Sequence, residues 1–261
     1  MRVGNVIVPT HQLLINLQTF CTPLLEYSGV EEFPVSARGS SFRIRYFGRY
    51  FQIFTKHQLN GLNSLSDIAF MNSDGEHFTV GGTHYSRDDP NSYSGDIAVR
   101  DVTDRVVASS ISQHMFFEIT DKTITPNPEL VLVDIAYGFP FDKQLFAPGE
   151  MPDGTPYLEH ICSRLQEVVL NKQTESDDKD ILIFSRNESL EMDPNGMSGS
   201  PVFSICKSDE GFFLALRAMV LTSNGKIFRV VKAGNIVKLL ENICAAEILS
   251  LKSKGSVGLR L

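Results

Sequence analysis

The sequence predicts an all-β body with a helix at each end. Three observations carry this: apolar and polar residues alternate from residue 39 onward, Gly, Asn, Asp and Pro punctuate many short β-rich runs, and helical spacing is marked at the two ends. First in order, Leu13, Leu17, Phe20 and Leu24 recur at helical intervals after Pro9 and Thr10, with Pro23 in the last turn and Gly29 beyond it. This predicts a helical segment over 10–28, placed to act as a flap or to bind a partner. Phe42, Ile44 and Tyr46 then alternate with Arg43 and Arg45, Gly48 marks a turn, and Tyr50 to Phe54 returns as a second strand. Short β-like runs follow at 78–80, 96–100, 105–108, 115–119, 130–136, 181–184, 201–205, 212–221 and 227–231. Leu158, Ile161, Leu165, Val168 and Val169 suit a helix within 157–172, and Ile236, Leu239, Leu240, Ile243 and Ala246 line one face of a helix over 234–251. Many short strands with turn signals imply a sandwich or a barrel.

Length and composition narrow the function classes. A chain of 261 residues with 42% hydrophobic content makes one good-sized unit or two small lobes, and needs no metal or disulfide to hold a core. Its 31 acidic against 24 basic residues, a net charge of −7, exclude a general nucleic-acid coat, which needs cationic surplus to displace counterions. No apolar run reaches the roughly 20 residues of a membrane span. The opening segment has one positive charge and a short apolar patch, then His11, Gln12, Asn16 and Gln18, which suit no secretory leader; the expected location is the cytoplasm. Cys21, Cys162, Cys206 and Cys244 form no CxxC pair, so free thiols are expected rather than a zinc site or disulfides. Arg38, Arg43, Arg45, Arg49 and Lys56 read as solvated strand faces rather than a patch for an anionic partner. Glu175, Asp177, Asp178 and Asp180 read as a mobile acidic loop rather than a calcium site, lacking the glycine and spacing of a dedicated loop. No metal or cofactor is expected.

The chemistry concentrates in Asn195-Gly196-Met197-Ser198-Gly199-Ser200-Pro201. Gly196 lets the backbone turn so that amides converge beside the Ser198 hydroxyl, Gly199 leaves room for a carbonyl to approach, and Pro201 fixes the exit into a strand. Earlier, Gly39-Ser40-Ser41-Phe42 opens a strand, and the return strand ends in Thr55-Lys56-His57. Gly95-Asp96-Ile97-Ala98-Val99 places an acid at the head of an apolar stretch.

This order of His, Asp and Ser, with these flanks, resembles the trypsin-like (chymotrypsin-fold) serine peptidases over residues 38–248. Ala136-Tyr137-Gly138-Phe139-Pro140 is similar to a turn of intracellular and bacterial members, and Leu216 to Ser223 to the strand that flanks the substrate backbone. The resemblance implies two antiparallel β-barrels: an N-terminal helical extension over 1–37, a first barrel over 38–113 carrying His57 and Asp96, a second over 114–233 carrying Ser198, and a helix and tail over 234–261. It implies His57 as general base, Asp96 as its orienting carboxylate and Ser198 as nucleophile. The amides of Gly196 and Ser198, with Met197 in line, would form an oxyanion hole. Met192, Asp193, Leu221, Thr222 and Ser223 would line the substrate pocket, Met192 as an apolar floor and Asp193 as an exposed turn acid unless it points inward to favour a basic side chain. The residue before the nucleophile is Met197, where secreted members have an aspartate that captures a new amino terminus; that activation switch is therefore not expected here.

Other assignments weigh less. His11, His77, His84, His114 and His160 end no apolar strand with a threonine two residues before. Asp67 lies too soon after His57, Asp134 falls on the other lobe, and Asp88 and Asp89 occupy a polar loop. The expected activity is a serine endopeptidase acting on a protein or peptide substrate with a narrow target, compatible with an activating protein partner and, by resemblance, with bacterial defence. The alternatives are a catalytically silent protease-fold binding module and an esterase or acyltransferase using the same triad.

Overall fold

The computed structural model describes residues 2–3, 6–7, 17–32, 34–62, 67–71, 77–79, 84–86, 95–108, 111–124, 126–174 and 176–255. Two curled antiparallel sheets, half-barrels in shape, make up the body. The first is built from β3 (Cys21–Tyr27), β4 (Val35–Tyr46), β5 (Arg49–Phe54), β6 (Ile68–Met71), β7 (His77–Thr79), β8 (His84–Ser86) and β9 (Ala98–Asp101), in the order β7-β6-β3-β4-β5-β9-β8. A short β10 (Phe117–Glu118) joins it parallel to β4. The second takes β11 (Val131–Gly138), β14 (Gln166–Leu170), β15 (Lys172–Thr174), β16 (Ile181–Ser185), β17 (Pro201–Ser208), β18 (Gly211–Ser223) and β19 (Ile227–Lys232), in the order β14-β11-β17-β18-β19-β16-β15. A hairpin of β1 (Arg2–Val3) and β2 (Val6–Ile7) lies against β18 at Phe212. Between β11 and β14, β12 (Gln144–Glu150) and β13 (Pro156–Ser163) pair with each other as a separate ribbon. Register shifts at Leu24/Leu25, Val202/Phe203 and Val220/Thr222 mark bulges, which bend strands and let a sheet curl.

One core joins the sheets. Phe42, Ile44, Phe51 and Ile53 from the first meet Ile135, Tyr137, Phe203 and Leu216 from the second, and Ile236, Leu240 and Ile243 of the C-terminal helix Ala233–Gly255 close it. Phe117 packs edge-on against Phe20 and Phe203, with centroids 5.4 and 5.0 Å away. Burying each such side chain contributes about 1.5–3 kcal/mol, so the halves are held chiefly by apolar contact. The C-terminal helix follows its expected span, although Ala246 is exposed rather than part of the packed face.

Three secondary-structure expectations are corrected. The end of the predicted N-terminal helix, 21–27, is β3, seated between β4 and β6 and buried over Cys21–Leu25; Pro9, Thr10 and Leu13 lie outside the described residues. A helix there would lose a hydrogen bond at Pro23, whereas the strand satisfies its backbone on neighbours and buries both faces. Consequently the first sheet begins within the expected extension over 1–37. The predicted helix at 157–172 is replaced by β13 and β14, where Val168 and Leu170 face inward and Glu167 and Val169 outward, a period of two that register with β11 imposes. The predicted strand at 105–108 belongs to a short helix, Thr103–Val107, whose first amide is accepted by Asp101 Oδ1 at 2.8 Å.

The arginines of β4 and β5 do not form one solvated face. Arg43 is fully buried, donating to Thr22 Oγ1 at 3.2 Å, and burial lowers its pKa to about 9. Arg38 pairs with Glu26, Arg49 with Asp101, and Arg45 lies 3.7 Å from Glu118. No helix among the described residues is long and apolar enough to cross a membrane. Cys21 and Cys206 are buried and Cys244 half-buried, and none of the three forms a disulfide among the described residues.

Candidate active site

His57 sits on a 3-10 turn, Lys56–Leu59, at the end of β5, and Asp96 just precedes β9. Because β5 and β9 are antiparallel, with Phe54 opposite Ala98, the end of one strand and the head of the other are neighbours. Asp96 then grips the histidine twice. Its Oδ1 accepts the His57 backbone N–H at 2.8 Å, and its Oδ2 lies 2.7 Å from Nδ1. A carboxylate at Nδ1 calls for a proton on that nitrogen and leaves Nε2 as the basic one. Nε2 is 3.4 Å from Thr55 Oγ1. Asp134 takes a different part: it lies on β11 of the second sheet and accepts from Ser204 Oγ. Asp67 precedes β6, His114 sits in a 3-10 turn, and His77, His84 and His160 lie in strands β7, β8 and β13. His11, Asp88 and Asp89 are outside the described residues.

The Ser198 segment consists of two successive turns. Met197 N–H closes on Pro194 O at 3.0 Å and Ser200 N–H on Met197 O at 3.1 Å, with Gly196 (φ +96°) and Gly199 (φ +83°) at the third place of each. Positive φ at that place favours glycine. Space demands it as well: a Cβ on Gly196 would stand 2.5 Å from Phe139 O, and one on Gly199 2.0 Å from Ser40 O. Phe141 N–H donates to Asn195 O at 2.8 Å, which fixes the peptide plane whose opposite edge is the Gly196 N–H. The Gly196 and Ser198 amides carry no hydrogen bond among the described residues. Met197 does not join them, since its amide closes the first turn; of the three amides expected, two remain. Its side chain is buried among Ala136, Val202, Ala218 and Val220.

The loop is tied to both sheets. Gly199 N–H donates to Val220 O (2.9 Å) and Val220 N–H to Ser200 O (2.8 Å) on the second sheet. Toward the first sheet, Ser40 N–H donates to Ser198 O at 3.1 Å, Ser40 Oγ donates to Gly196 O at 2.6 Å and accepts from Phe139 N–H at 2.8 Å. Gln58 Nε2 also donates to Ser198 O, at 3.0 Å. Ser198 Oγ itself donates to the Leu221 carbonyl at 2.8 Å and makes no hydrogen bond with His57.

A cavity of about 450 Å³ brings His57, Gln58, Gly196 and Ser198 to one surface, with Glu26, Arg38, Phe141 and Asn195 among its other walls. The residues predicted for the substrate pocket are not among those lining this cavity. Leu221 is buried and meets Ser198 through its carbonyl, Thr222 is exposed, Ser223 half-buried, and Met192 packs toward the Met197 cluster. Asp193 is an exposed turn acid whose carboxylate accepts the Asn195 N–H and Nδ2, each at 3.0 Å. Sequence reasoning missed Gln58 and Ser40. The Thr55-Lys56-His57-Gln58 spacing carries a signal for the first, a capping pair in which Gln58 Oε1 accepts Thr55 N–H at 2.8 Å. Ser40 stands in the strand-opening Gly39-Ser40-Ser41-Phe42, but nothing local marks its tie to the Ser198 loop, because its partners are distant in the chain. Chemically, a hydroxyl flanked by two unpaired amides, with a carboxylate-bound imidazole on the same cleft, holds the groups that nucleophilic acyl transfer requires.

No family model and no curated protein matches this chain. Among solved structures, a chain from work on how aromatic interactions drive the coupled folding and binding of the intrinsically disordered Sesbania mosaic virus VPg protein is similar, at a TM-score of 0.42 and 15% identity, covering 86% of this chain and 97% of that chain. A likeness at that level carries no argument about what this chain does.

Proposed function

We propose that this protein is a serine endopeptidase with a chymotrypsin-type arrangement, acting on a protein target through His57, Asp96 and Ser198. The observation that carries the reading is the double hold of Asp96 on His57, at 2.8 and 2.7 Å, on the same cleft as Ser198 and Gly196. Ser198 Oγ bonds to the substrate carbonyl carbon while its proton passes to His57 Nε2. The carbonyl oxygen takes the negative charge and is received by the Gly196 and Ser198 N–H groups. His57 then gives its proton to the leaving amine as the peptide C–N bond breaks, and water repeats the sequence on the acyl-enzyme. Asp96 holds the tautomer and stabilises the imidazolium. The reading requires Ser198 Oγ to leave Leu221 O for His57, a change of side-chain rotamer.

That same Ser198–Leu221 contact favours the second reading, a silent module on a peptidase fold. A fluorophosphonate probe separates them. Expected is stoichiometric labelling of Ser198 in wild type, none in Ser198→Ala, and cleavage within an unbiased peptide library that falls by a factor on the order of 10⁴ in Ser198→Ala and His57→Ala. Wild-type protein that is folded and never labels refutes the peptidase reading; labelling with ester but no peptide turnover assigns it to an esterase.

A further inference from the structure

We infer that Gln58 is a positioning residue: its buried side-chain amide staples the His57 turn to the Ser198 loop across the two sheets and sets their mutual geometry. The inference rests on the peptidase reading. Gln58 is 5% exposed, and both ends of its amide are used. Oε1 accepts from Thr55 N–H and Thr55 Oγ1, each at 2.8 Å. Nε2 donates to Ser198 O at 3.0 Å and Ser40 O at 3.1 Å, with Arg38 O at 3.4 Å. The partners assign the amide unambiguously, because two donors face one end and carbonyl oxygens the other.

Each end touches a neighbour of the reacting pair. Thr55, held by Oε1, places its own Oγ1 3.4 Å from His57 Nε2. Ser198 O, held by Nε2, belongs to the residue whose hydroxyl and amide would act on the substrate. Glycines keep the space open: a Cβ on Gly39 (φ +135°) would stand 2.4 Å from Gln58 Nε2, and one on Gly199 2.9 Å from Oε1. Two glycines from different segments thus leave room for one glutamine side chain. A small misplacement of groups that react at contact distance lowers rate far more than it lowers stability.

The test uses the full chain and the fluorophosphonate probe, comparing wild type with Gln58→Met, which keeps the length and loses every hydrogen bond, and Gln58→Glu, which keeps the acceptor for Thr55 and loses the donors to Ser198 O and Ser40 O. The maximal labelling rate at saturating probe, the probe concentration for half that rate, and the final labelled fraction are read separately. Expected in both variants is a maximal rate lower by about 10- to 100-fold, with half-saturation and final fraction unchanged. A purely structural role would lower the labelled fraction and leave the rate of the folded remainder as it was, and that outcome overturns the inference. So does a rate within about threefold of wild type in either variant, or a failure of both variants to fold, which would make Gln58 a stability residue. A wild type that does not label sinks the peptidase reading itself, separately from any difference among variants.

Discussion

Gly196→Ala is the substitution that discriminates best, because the structure separates its two costs. At φ +96° an alanine costs about 1–2 kcal/mol in backbone strain. In a domain of this size each kcal/mol corresponds to about 2–4 °C in melting temperature. The second cost is local. The new Cβ would stand 2.5 Å from Phe139 O and 3.0 Å from Phe141 N, and both atoms are backbone, so they cannot swing aside. Phe141 N is also the donor that holds Asn195 O, so relieving the clash turns the peptide plane that carries the Gly196 N–H. Losing one such donor at a developing oxyanion costs roughly 10²–10³ in rate, or about 2.7–4 kcal/mol. Gly29→Ala is the matched control, since Gly29 has φ +75° with nothing within 4 Å of an added Cβ and so carries the strain alone. Thermal melts should show both variants lowered by several degrees, about 2–8 °C from the strain. Fluorophosphonate labelling should fall about 10²–10³-fold in Gly196→Ala only. A Gly196→Ala protein that melts lower yet labels within about twofold of wild type would refute the role given to that amide.

Other tests reach the rest of the molecule. Burial raises the Asp134 pKa, so the folded chain holds that proton more readily than the unfolded chain; the stability this contributes is present below the unfolded carboxyl range and is lost as pH rises through the folded value. Asp134→Asn should therefore gain in melting temperature relative to wild type on going from about pH 4 to about pH 7, and a difference that is flat or reversed counts against the burial argument. Burial pushes the Cys206 thiol up to about 11 and the Cys21 thiol higher still, so iodoacetamide on native protein should modify Cys244 well before either, as read by mass spectrometry. Comparable modification of Cys206 would show that β17 opens. Finally, the Met197 side chain, buried among apolar residues, offers no carboxylate to a new amino terminus. A chain cut ahead of Leu17, which spares β3, should show the same activity whether its amine is free or acetylated; activity that needs the free amine would overturn this.

What was legible from the residues alone was whatever is encoded within a few positions. The alternation in β4 and β5, the apolar face of the C-terminal helix and the glycines at both turns of the Ser198 loop are of this kind, since a turn's φ requirement and a strand's period act on near neighbours. The juxtaposition of His57 with Asp96 is nearly so, because one antiparallel pairing of β5 with β9 delivers it. Where helical spacing competed with pairing, the local signal misled: 21–27 and 166–170 have apolar residues that suit a helix, but each lies beside a long partner strand that takes its backbone hydrogen bonds. The walls of the cleft, the deep placement of Arg43, the Ser40 and Gln58 ties and the Ser198 hydroxyl resting on Leu221 were decided only by the tertiary structure. Each of these depends on groups from segments far apart in the chain, which become partners only after the two sheets have packed and water has been excluded from between them.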